Sequence, residues 1–542
     1  MKRSLSLRTA LVLMMISLLG GMGIHQVISA DSIYQQLNKF KDILLISEKY
    51  YVDEVPTDKL VESAITGMVR ELDPHSVYFP ARSFEKVTEE MSGKFQGVGL
   101  QIRPLNDTII VVEPIGGGPA ARLGILSNDR IIRVNDSSIV GMSSADAAKR
   151  LRGPKGTKVR VEIVRAGQQR PLVYEVIRDD IALYSVDAAV MMEEDVGYIN
   201  VNRFNTQTIH ELESALGKLR EQGMKKLVLD LRGNPGGILQ QAVEMADLFL
   251  DGGTKEHPRR IVYTKARRPE LSEEFFATTG QAFEQIPLIV LISNGSASAS
   301  EIVAGAVQDW DRGLIVGETS FGKGLVQREW PISDGSAFRL TIARYYTPSG
   351  RLIQRAYDGK DRSSYVREAF ERNEPEGDNL NHEVDAKSDT LRPVFRTNAG
   401  RLVYGGGGIT PDFIVRHITL NDQTENLLRR DLFYRFIASY MDRAGKEIRL
   451  EYGEALKRFK NDYTVSDKML SDFRSFARTN DFSIDDVAFV QDEAFIRARL
   501  KAYVARILWS NDGWSSVMLE VDPQFVRAVA LFPEATKLTA AR

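Results

Sequence analysis

The 542-residue chain contains no cysteine, which excludes disulfides and thiolate chemistry together. That absence is compatible with an oxidising compartment without requiring one. Histidine is scarce as well. Its six positions (25, 75, 210, 257, 382 and 417) form no recognisable triad signature. Charge of one sign is not in excess either. Lys plus Arg number 71 against 73 Asp plus Glu, so no global basic field points to nucleic acid. After residue 30 no apolar run is long enough to span a bilayer. With 43% hydrophobic and 27% charged residues, the chain has material for roughly three or four domains.

The informative residues are concentrated between Asn294 and Gln327. Pro287 to Ile292 is a short continuous apolar run, the pattern of a strand buried on both faces. Asn294-Gly295 breaks it, and Ile302, Val303, Ala306 and Trp310 then recur at helical spacing. Ser296, Ser298 and Ser300 therefore fall where a buried strand turns into a helix. Backbone N–H groups there favour developing negative charge and can form part of an oxyanion hole. A serine hydroxyl still needs a base. Lys323 lies in a glycine-flanked loop after the apolar run Leu314 to Val316, and a desolvated lysine serves as the base in Ser-Lys arrangements. Two other readings compete. The serines fit an ordinary helix N-cap, and Gly317 to Lys323 fits most of a phosphate-loop pattern. The next residue, however, is Gly324 rather than Ser or Thr, and Leu325 to Trp330 reads as a strand where a phosphate loop opens a helix.

Asn-Gly-Ser-Ala-Ser-Ala-Ser-Glu at 294–301, followed by Gly-Glu-Thr-Ser-Phe-Gly-Lys-Gly at 317–324 and Gln327, resembles the carboxy-terminal processing peptidases, or tail-specific proteases. The resemblance implies Ser298 as nucleophile, Lys323 as base and Gln327 as the group that orients the lysine. A second signature, Asp-Leu-Arg-Gly-Asn-Pro-Gly-Gly at 230–237, implies that a glycine N–H, from Gly236 or Gly237, pairs with that of Ala299 as the oxyanion hole. Leu325 departs from the Ser or Thr that members often carry there.

The remaining chain divides into blocks. Residues 1–30 read as a signal peptide or membrane anchor, with Lys2, Arg3 and Arg8 before the apolar run Leu11 to Leu19 and a cleavage site after Ala30. Membrane association would run through residues 9–24. Residues 31–92 show two amphipathic helical faces, ending at Leu72-Asp-Pro-His-Ser76, where His75 reads as a turn residue. Residues 93–181 resemble a PDZ domain, whose carboxylate-binding loop would be Gly97, Val98, Gly99 and Leu100. Residues 182–418 alternate strands and helices, the pattern of crossover units in a partly parallel sheet. Within them, 356–396 reads as a charged, exposed insertion. Residues 419–542 read as a helical appendix, with a helix through Ile496, Leu500, Val504 and Ile507 stopping at Asn511-Asp-Gly513.

The expected fold is thus α/β and α+β multidomain: a PDZ domain and an α/β core, with N-terminal helices and a C-terminal helical extension. The expected function is an exported serine endopeptidase of the periplasm or cell envelope, with the inner membrane as its anchor if the signal is retained. It would engage free, apolar protein C-termini through the PDZ domain, require no cofactor or metal, and bind no nucleic acid. An adaptor or activator partner is left open. The alternative is a catalytically silent, PDZ-containing peptide-binding scaffold.

Overall fold

The computed structural model describes residues 33–192, 195–372, 374–380 and 392–540. The expected export signal and the membrane-associating residues 9–24 lie outside them. No helix of the described residues is long and apolar enough to cross a membrane. The chain forms two compact units, one from residues up to Ala81 with Glu329–Arg339, the other from Arg82–Arg328 and Leu340–Arg542.

In the first unit, helices span 33–50 and Thr57–Arg70, and strand Val77–Phe79 pairs antiparallel with Ala337 to Arg339. Asp73 accepts the backbone N–H groups of His75 (2.7 Å) and Ser76 (2.8 Å), closing a turn on its own side chain.

The second unit is built on a seven-stranded sheet. In spatial order its strands are Val186–Met191, Val196–Val201, Lys226–Asp230, Leu288–Ile292, Leu314–Gly317, Phe413–Ile414 and Gly377–Asp378. The five inner strands run parallel and the two outer ones antiparallel. Successive side chains serve opposite faces. Leu227 and Leu229 pack with helices Thr208–Glu221, Leu239–Asp247 and Ala299–Asp309 on one side. Val228 meets Phe525, Leu531 and Phe532 on the other. The C-terminal region thus supplies the cover for the second face, and its helices Pro523–Ala530 and Phe532–Ala540 are part of the core of this sheet.

The glycine-loop domain is an antiparallel sheet of Leu100–Leu105, Thr108–Pro114, Arg130–Val134, Ser137–Ser138, Lys158–Val164 and Leu172–Ile177, with helix Ser144–Leu151. Its outer face rests on helix Leu432–Tyr452: Leu105 and Ile110 share a core with the C-terminal helices, and Arg103 and Arg130 pair with Asp431 and Asp442 at 2.6 Å each.

The helix through Ile496, Leu500, Val504 and Ile507 stops just before Asn511-Asp-Gly513, where Trp509 and Ser510 leave helical geometry (Ser510 φ 56°). A second helix runs on to Met518, while Asp512 accepts the N–H of Ala189 at 2.9 Å. One expectation is corrected. The segment read as an exposed insertion contributes helix Arg362–Phe370, whose Tyr365 and Ala369 are fully buried. Apolar positions at Tyr365 and Ala369, one helical turn apart, give it a core-facing edge that its charged composition conceals.

Candidate active site

Strand Leu288–Ile292 is buried throughout, and helix Ala299–Asp309 begins seven residues after it, also buried along its whole length. Ser298 sits between them with φ 54° and ψ −111°, a left-handed backbone that a non-glycine residue adopts only at a cost of about 1–3 kcal/mol. The surroundings over-determine that geometry. Glu301, fully buried, accepts the Ser298 N–H at 2.8 Å, and its own N–H donates back to the Ser298 carbonyl at 2.9 Å.

The same carboxylate reaches the lysine loop. It accepts the N–H of Gly322 (2.7 Å), the N–H of Lys323 (2.9 Å) and the hydroxyl of Ser320 (2.5 Å). Burial pushes the Glu301 carboxyl above its ordinary value, and these donors pull it partly back. A second clamp is Tyr345. Its hydroxyl lies 3.0 Å from the Ser298 carbonyl and 2.7 Å from the Lys323 carbonyl, so one proton is shared between the two segments. Burial, reinforced by the charge of Glu301, pushes the phenol well up and keeps it a donor. Lys323 Nζ donates at 2.8 Å to Oε1 of Gln327, the third residue of strand Leu325–Pro331. Arg355 and Arg372 donate to the Phe321 carbonyl at 2.7 and 3.0 Å, which fixes the outer side of the loop.

The loop Asp230 to Gly237 closes on the turn that carries Ser298. The Asn234 carbonyl accepts the Ala297 N–H (3.0 Å) and the Ser300 hydroxyl (2.9 Å), and Ser296 Oγ donates to the Leu231 carbonyl (2.8 Å). Ser296 is therefore a buried structural hydroxyl. Gly236 has φ 93°, and a Cβ there would lie 2.8 Å from both Ser298 Cβ and Ala299 N, so only glycine permits the approach. Its N–H donates to Asn234 Oδ1 at 2.9 Å. Sequence reasoning missed Glu301 and Tyr345. The Ser-x-x-Glu spacing of 298–301 signals a capping box and was the one available clue to Glu301.

In the glycine-loop domain, Val98 is buried and Gly99 takes φ 77°. Phe95, Val98, Gly99, Leu100, Ile102, Ala148, Leu151 and Arg152 surround a pocket of about 110 Å³. The structure thus places Gly97 to Leu100 beside a small apolar pocket, and brings Ser298, Lys323, Gln327, Gly236 and Ala299 into one cluster.

Comparison with known proteins assigns residues 195–359 to peptidase family S41, 86–164 to the PDZ domain, 23–83 to the activating protease CtpB N-terminal domain and 424–510 to a family of unknown function. A carboxy-terminal-processing protease of Bartonella bacilliformis is 41% identical over 325 residues, covering 59% of this chain and 73% of that protein. The carboxy-terminal processing protease CtpA of Bacillus subtilis is 36% identical over 328 residues, covering 60% and 68%. Among solved structures, a photosystem II D1 C-terminal processing protease matches at 28% identity and a TM-score of 0.31, over 58% of this chain and 89% of that one.

Proposed function

The chain belongs to the carboxy-terminal processing proteases of peptidase family S41, and from that premise we propose an exported serine endopeptidase that selects free C-termini and cuts with a Ser298–Lys323 dyad. The observation that carries this reading is the Glu301 carboxylate, which ties the amides of Ser298, Gly322 and Lys323 to one buried point. Two segments more than twenty residues apart are thereby held at fixed spacing, which is the condition for general-base activation of a weak nucleophile.

Ser298 Oγ attacks the scissile carbonyl carbon while Lys323 Nζ, neutral at that moment, takes the proton. Gln327, 2.8 Å from Nζ, orients the amine. The tetrahedral oxyanion is held by the Ala299 N–H and an N–H of the Gly236–Gly237 pair. Because Gly236 N–H already donates to Asn234, Gly237 is the favoured partner. Collapse breaks the C–N bond, the leaving amine takes the proton from Lys323, and water then hydrolyses the Ser298 ester by the same path. The pocket beside Gly97 to Leu100 receives an apolar C-terminal side chain, with the loop amides on its carboxylate. Export rests on residues 1–30, and the relatives it resembles are bacterial processing proteases.

The test compares intact protein, Ser298→Ala and Ser296→Ala on one disordered substrate. Loss of turnover is expected in Ser298→Ala with peptide binding retained. Turnover by Ser298→Ala would remove the assignment, and with it the preference over a silent scaffold.

A further inference from the structure

The loop that carries Gly236 and Gly237 is gripped from outside as well as from the nucleophile turn. Arg232, two residues before Asn234, reaches into a cluster in which every hydrogen-bond partner is polar. Its Nη2 and Nε lie 2.6 and 3.0 Å from Asp230 Oδ2, and its Nη1 lies 2.7 Å from Asp522 Oδ2 and 2.8 Å from Gln524 Oε1. The Tyr198 hydroxyl donates to Asp230 at 2.7 Å, and Gln524 Nε2 donates to the Val415 carbonyl at 2.7 Å. Asp522 has a second task. Its Oδ1 caps helix Pro523–Ala530, accepting the N–H groups of Gln524 (2.9 Å) and Phe525 (3.2 Å).

Apolar burial alone would hold that helix on the sheet, since Phe525, Ala528 and Leu531 are all buried against it. A guanidinium that is largely removed from water is costly for such a purpose, and its attested value is in fixing one geometry. Here the geometry fixed is that of the loop. Arg232 is joined by two peptide units to Asn234, whose side chain holds Gly236 and whose carbonyl holds Ala297 and Ser300. We infer that Asp522 and Gln524 are positioning residues for the oxyanion loop. The end of the chain thereby determines how well the transition state is held, resting on the reading that this loop supplies an oxyanion donor. Displacing the C-terminal helix would loosen the outer hold on Gly236 and Gly237, whereas Ser298 and Lys323 keep the clamps at Glu301 and Tyr345, which belong to other elements.

The discriminating variant is Asp522→Asn in the full-length protein. Asparagine caps a helix as well as aspartate does, so the helix start survives while the charge facing Arg232 is removed. Expected are a fall in kcat of roughly tenfold, a part of the loss seen when a whole oxyanion donor is deleted, and a KM within about twofold. Affinity for a peptide boronic acid, which forms a tetrahedral adduct, should fall by the same factor as kcat, while affinity for a non-covalent product peptide holds. Combining it with Arg232→Gln should cost no more than the worse single change, because both break one contact. Full kcat and full boronate affinity in folded Asp522→Asn would overturn the inference, as would losses that track the unfolded fraction alone. Turnover by Ser298→Ala in the same assay would instead overturn the dyad reading beneath it.

Discussion

At the Ser298 turn the fully buried Glu301 takes three backbone N–H groups and a hydroxyl, all within 2.9 Å. At the small pocket of the PDZ domain, Arg152 meets Glu89 with its side chain 44% exposed. An exposed pair of that kind contributes at most about 1 kcal/mol and is screened by salt. A buried carboxylate with several donors cannot be removed without leaving each donor unsatisfied. On the proposed reading the chemistry is built into the cooperative core, whereas the rim of the recognition pocket, at Arg152 and Glu89, can change without unfolding the domain. Substitutions at the first region should lower kcat and stability together. Changes at the exposed pair of the second should move KM and leave the fold alone.

The largest effect expected is at the base itself. Lys323→Arg should lose activity by about a thousandfold or more, because a guanidinium stays protonated and cannot accept the serine proton. Steady-state turnover of a disordered substrate reads this directly, and an active arginine variant would rule the lysine out as base. Next comes Glu301→Ala, with kcat down roughly a hundredfold and stability down by about 3 kcal/mol or more from the orphaned donors. Denaturant melts alongside kinetics would break the comparison if only one of the two moved.

The sign of the pH effect follows from the raised carboxyl of Glu301. The folded state binds its proton more tightly than the unfolded chain, so this contribution to stability is full below the ordinary value of 4.5 and is lost as pH rises through the folded value. Equilibrium unfolding across that window should show a shallower decline in Glu301→Gln, and an unchanged profile would contradict the assignment of the shift. In the groove, amidating a substrate's C-terminus should raise KM ten- to a hundredfold, since bonds to a charged acceptor contribute about 1.5–3 kcal/mol. Equal KM for acid and amide would show that the groove does not read C-termini. Smallest is Tyr345→Phe, where loss of one shared proton should lower kcat about fivefold and stability by about 1 kcal/mol.

Much of the local structure of residues 287–327 was legible because its signals are local. A buried strand, an Asn-Gly break and a periodic helix place Ser298 at the junction, and glycines place Lys323 in a loop. What stayed hidden is carried by contacts distant in sequence. The Ser-x-x-Glu spacing accounts for one of the donors to Glu301, but the other three come from Ser320, Gly322 and Lys323. Arg232 and Asp522 are 290 positions apart, and nothing in either segment names the other. The C-terminal helices show amphipathic faces, yet amphipathicity does not say which surface is covered. They read as an appendix although Phe525 and Phe532 close the second face of the central sheet. Asn511-Asp-Gly513 does mark a helix stop, at Trp509 and Ser510 just before it; what it does not disclose is that its polar groups bind Asp187 and Ala189 and that a second helix starts there.

The most direct measurement of the central claim is to quench the protein with a slowly deacylating ester substrate at low pH and map the covalent adduct by peptide mass. The expected result is a stoichiometric acyl group on Ser298 that is absent in Lys323→Arg. An adduct on Ser296 or Ser300, or rapid hydrolysis with no adduct at any serine, would contradict it.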